Sequence, residues 1–93
     1  MEKKFYIGIY WHSRCGYTVT HMQDPKAFAK QREVITGSLG YDHVSTITIT
    51  NPRIYTRVFH FVKRLDPTLK REKITLADIL REGAVDYEQR CIR

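Results

Sequence analysis

The sequence has little of what marks dedicated chemistry. Only two cysteines occur in 93 residues, Cys15 and Cys91, and no Cys-x-x-Cys or closely spaced His pair accompanies them. A disulfide-rich scaffold and a zinc-finger spacing are both excluded. A lone cysteine pair in a chain able to build an apolar core reads as two free thiols. Five glycines and three prolines rule out collagen-like or low-complexity structure, and Gly8 lacks the companions of a phosphate-binding loop. No run approaches the roughly 18 apolar residues of a membrane span. Met1-Glu2-Lys3-Lys4 leads into a strand-like segment instead of an export signal, so a cytoplasmic setting is expected.

What is present suits one small domain. Hydrophobic residues make up 42% of the chain, aromatics 12% and charged residues 28%, enough for a single core and too structured a composition for disorder. Phe5-Tyr6-Ile7-Gly8-Ile9-Tyr10-Trp11 alternates with Phe5, Ile7, Ile9 and Trp11 on one face, the pattern of a strand with one apolar side. Ser13-Arg14-Cys15-Gly16 supplies turn chemistry. Alternation resumes over Tyr17 to Met22, predicting a hairpin whose inward set is Tyr17, Val19 and His21.

Asp24-Pro25 is a helix cap followed by proline in the first turn, and Phe28 and Ile35 give that helix a narrow apolar stripe ending near Gly37 or Gly40. His43 to Thr50 alternates again, with Ile47 and Ile49 on one side and Val44, Thr46, Thr48 and Thr50 on the other. Asn51-Pro52 repeats the cap. From Arg53 to Leu65 the apolar residues Ile54, Tyr55, Val58, Phe59, Phe61, Val62 and Leu65 recur at helical spacing, which places Phe59 and Val62 in the core. Asp66-Pro67-Thr68 ends this second helix, a basic linker follows, and Thr75 with Asp78 opens a third short helix through Glu82. Val85 to Ile92 reads as a fourth strand, more helix or a tail.

The order β-β-α-β-α-α predicts an α+β domain, a small two-layer structure in which helices pack on one face of an antiparallel sheet of about three strands. The opposite face is then expected to be open, displaying Tyr6, Tyr10 and His12 beside Thr18, Thr20 and the threonines of the third strand. Flat rings on a rigid sheet can stack bases. Thr and Tyr also populate any solvated sheet face, because they have high strand propensity. Trp11, in the apolar set, is expected to cover the end of the hairpin.

Charge is concentrated. Sixteen Lys and Arg against ten Asp and Glu give +6. Residues 1–51 contribute six cations and four anions, residues 52–73 seven and two, and residues 74–93 three and four. Nearly all the excess therefore sits in Arg53, Arg57, Lys63, Arg64, Lys70, Arg71 and Lys73, on the polar side of the second helix and in the linker after it. Seven cations this close can neutralise several phosphates, although a charge run is also the ordinary form of a solvated face.

Other constellations are weaker. His12, Cys15 and His21 surround the first turn, but Cys15-x₅-His21 puts its two members at opposite ends of a strand, and four convergent metal ligands are not in view. Cys15 beside His12 or His21 has no third residue to orient it and no oxyanion-hole pattern. Asp78, Glu82, Asp86 and Glu88 look like a solvated helix face and tail. No cofactor, metal site or enzymatic activity is expected. The expectation is a basic nucleic-acid-binding domain. The alternative is a protein-interaction module, an inhibitor or accessory subunit of phage or mobile-element type, that docks on an acidic protein and uses its cations to speed association.

Overall fold

The first apolar strand becomes the centre of the sheet. In the computed structural model, which describes residues 3–81, β1 (Phe5–His12) lies between β2 (Gly16–Met22) and β3 (Asp42–Ile49) and is antiparallel to both. Helix α1 (Pro25–Glu33) follows β2 and runs into a wider π-helical turn at Val34–Ser38. Helix α2 (Arg53–Lys63) follows β3, and α3 occupies 76–81. The α+β class, the three-stranded antiparallel sheet and the order β-β-α-β-α-α are as expected. No helix among the described residues is long and apolar enough to cross a membrane. The segment 85–92 and Cys91 lie outside the described residues.

Local chemistry sets the helix starts. The Asp24 carboxylate accepts the Lys26 N–H at 3.2 Å, with Pro25 in the first turn, and the Asn51 amide oxygen accepts the Arg53 N–H at 3.0 Å. At α3 the capping box closes in both directions. The Thr75 N–H donates to Asp78 Oδ2 at 3.1 Å, and the Asp78 N–H donates to Thr75 Oγ1 at 3.2 Å, satisfying two backbone donors that a helix start otherwise leaves bare. The Thr75 N–H, more than its hydroxyl, holds the Asp78 carboxyl below its ordinary range.

The main core forms where one face of the sheet meets α2 and the chain after it. Ile7, Ile9, Ile47 and Ile49 pack with Val58, Phe61 and Val62 of α2 and with Ile74 and Ile79. Val62 is in the core as expected. Phe59 is not: it is 40% exposed. The buried stripe of α2 centres on Val58, Phe61 and Val62, and Phe59 falls on its flank, above the edge strand β2, where the sheet ends.

A bulge changes one strand face. Ile9 lies opposite Ser45 but Tyr10 lies opposite His43, so Val44 is an extra residue in β3. Strict alternation groups Val44 with the threonines. The bulge turns it into the main core beside Ser45 instead, both of them buried. Ser45 Oγ then accepts the Ile74 N–H at 2.7 Å, which anchors the linker over the sheet and satisfies a buried donor.

The second face of the sheet is not open. Helix α1 crosses it over β1 and β2, with Phe28 buried and its ring centroid 5.9 Å from that of Tyr6. Tyr10 is fully buried. It lies over Gly8, where a Cβ would come within 2.6 Å of the Tyr10 hydroxyl. The expectation that all helices share one face is corrected by this arrangement, and its cause is the stripe of α1. Phe28 and Ile35 need an apolar counterpart, the α2 side is already filled, and the hollow at Gly8 lets Tyr10 lie flat to provide one. Thr46 and Thr48, beyond the reach of α1, remain exposed.

Candidate nucleic-acid interface

The basic linker is pinned against the hairpin end. Trp11 Nε1 donates to the Pro67 carbonyl at 2.9 Å. The Tyr17 hydroxyl donates to the Leu69 carbonyl at 2.6 Å and accepts the Arg71 N–H at 2.8 Å. Gly16, at φ +79°, allows the approach, since a Cβ there would stand 2.8 Å from Pro67 Cβ. Half-buried Trp11 thus covers the hairpin end as expected. These bonds hold the linker in one place, so its cations project from a defined surface and not from a free tether.

The linker cations differ in their surroundings. Lys70 Nζ lies 3.2 Å from Asp42 Oδ2, with both side chains about half exposed, a pairing that contributes little in water. Arg71 is half-buried, its guanidinium carbon 5.6 Å from the Phe61 ring centroid. Lys73 is exposed. Arg71 therefore belongs in part to the packing of the core.

Helix α2 presents a different picture. Arg53, Arg57, His60, Lys63 and Arg64 are all exposed on its outer side, and no acidic residue occurs between positions 53 and 65. Among the described residues, Arg53, Arg57 and Lys63 meet no carboxylate within 4.0 Å. Arg53 stands in the first turn, where the helix dipole disfavours a cation. Helix stability therefore gives no reason for its presence. The result is a row of fixed positive charge on a rigid element, backed by the main core.

The expected aromatic platform is absent from the sheet. Tyr10 is sealed beneath α1 and Tyr6 is half-buried against Phe28. His12 is half-buried, its ring 5.0 Å from that of Tyr41, and its Nδ1 accepts the Arg14 N–H at 3.0 Å. Tyr10 offers no face to a base, and Tyr6 and His12 are only partly exposed. The exposed rings lie beside the cations instead. Phe59 stacks on Tyr55 at 6.4 Å, Tyr55 tilts against His21 at 4.1 Å, and Lys63 Nζ stands 4.8 Å from the Phe59 centroid. One signal for this was in the sequence: the neighbouring apolar pairs 54–55, 58–59 and 61–62 are more than a single helical stripe can bury.

Compared with known proteins, the chain matches no family model, no curated protein and no solved structure. Among the described residues no three His, Cys, Asp or Glu side chains gather to hold a metal ion, and Cys15 is an exposed free thiol.

His43 is an exposed residue beside the second face of the sheet. Its Nε2 lies 2.7 Å from Thr46 Oγ1 and its ring meets Tyr10 edge-on at 5.6 Å. Desolvation lowers its pKa below the ordinary 6.5, and the Arg32 guanidinium adds to the effect. The folded state then binds fewer protons than the unfolded chain, so this contribution is complete above 6.5 and is lost as pH falls through the lowered value. Thermal midpoints taken from about pH 7.5 down to about pH 5 are expected to fall less steeply for His43→Gln than for the parent. Parallel curves would show that His43 does not couple folding to protons.

Proposed function

We propose that the chain is a cytoplasmic, non-enzymatic nucleic-acid-binding domain whose phosphate contacts come from the outer side of α2 and from the linker after it. The observation behind this reading is the set Arg53, Arg57 and Lys63, exposed on an ordered helix with no carboxylate among the described residues within 4.0 Å, followed in the chain by Lys70 and Lys73. Phosphates spaced along a strand are the ligand such a row complements, because each contact releases condensed counterions and binds without regard to sequence.

The test is a charge reversal. Arg53→Glu, Arg57→Glu and Lys63→Glu together change three exposed side chains outside the main core, so the fold should survive, as circular dichroism can show. Binding to a mixed oligonucleotide pool is expected to disappear. For the parent, log affinity should fall with log salt at a slope of about −3 to −4 if roughly four phosphates are engaged. Unchanged oligonucleotide binding after reversal would instead assign the surface to an acidic protein partner, for which the cations would govern association rate.

A further inference from the structure

Beside the cationic row runs a groove of about 320 Å³ between α2 and the edge strand β2. Its floor and walls include Tyr17 and Val19 from β2 and Phe59, Val62, Lys63 and Leu65 from α2 and its end. The volume is at the lower end of the range for small-ligand sites. Resting on the nucleic-acid reading above, we propose that this groove receives an unpaired base, which makes single-stranded nucleic acid the preferred partner of the domain.

Three features converge on that occupant. Phe59 exposes 40% of its surface although α2 has a core to bury it in, so its ring is available at the groove. Tyr55, with His21 behind it, supports the ring from one side and limits its motion. Lys63 Nζ rests 4.8 Å from the Phe59 centroid, a contact that is weak at an exposed site and can be exchanged for a base. The displaced ammonium is then free to meet the adjoining phosphate. A flat apolar ring beside a cation is the pairing that single-strand binders use, since every base has a π-face and every nucleotide a charge. In a duplex both faces of each base are already stacked, so the groove has no use there.

End-labelled oligothymidine and a duplex of the same length, followed by fluorescence anisotropy, test the proposal on the whole chain. The parent should bind the single strand more tightly than the duplex. Phe59→Ala should lose about five- to a hundred-fold in single-strand affinity, with duplex affinity and salt slope unchanged. Phe59→Trp should restore single-strand binding, which a merely folded-state defect would not predict. Parental single-strand affinity in Phe59→Ala, or an equal loss on both ligands, would overturn the base groove while leaving the phosphate row intact. Failure of both nucleic acids to bind the parent would remove the broader reading as well. Binding of a labelled Glu-rich peptide carrying one leucine, lost in Phe59→Ala and not displaced by oligothymidine, would overturn the base groove in favour of a protein segment.

Discussion

Phe61→Ala should lower the free energy of unfolding by about 3–5 kcal/mol, whereas Phe59→Ala, two residues away on the same helix, should change it by less than about 1 kcal/mol. Phe61 is 2% exposed and belongs to the cluster that joins α2 to Ile7, Ile9 and Ile47. It also carries the guanidinium of Arg71 above its ring, so its removal opens a cavity and loosens the linker together. A domain of this size has only about 5–15 kcal/mol in total, and Phe61→Ala should therefore remove a large share of it. Urea titrations of the two variants under one set of conditions make the comparison. Similar midpoints for both would mean that the facing of α2 is wrong.

Tyr10 should behave as a core residue and not as a binding residue. Tyr10→Ala removes a fully buried ring between β1 and α1 and is expected to cost about 3–5 kcal/mol, as for other large aromatic truncations. Tyr10→Phe should be within about 1 kcal/mol of the parent, because the buried hydroxyl makes no well-formed hydrogen bond, its polar neighbour being the Thr20 hydroxyl. Burial also raises the phenol above its ordinary pKa, against the opposing influence of Thr20 and Arg32, so no phenolate forms in the neutral range. The same titration method applies. A parental midpoint for Tyr10→Ala, with weakened oligonucleotide binding, would restore the sheet face as a ligand surface.

The two aromatic residues show where sequence reasoning reached and where it stopped. Element positions and order followed from local chemistry: the caps at Asp24, Asn51 and Thr75 act on their own following N–H groups, and alternation or helical spacing is a property of adjacent residues. The position of the cations was equally legible, because residues 53–63 form one helix and charge on its polar side stays outside. Facing was not legible. Whether α1 joins α2 or takes the other side of the sheet depends on which surface still has room after α2 has docked. That was decided by Gly8, where the missing side chain leaves space for the Tyr10 ring. Alternation also assumes an unbroken ladder, so the bulge that carries Val44 inward left no trace in the pattern. Sequence by itself determined the elements, their order and the cationic row. Tertiary packing alone decided that Tyr10 is sealed, that Tyr6 and His12 are partly covered and that Phe59 is exposed, because burial is a competition between distant surfaces for a limited interior.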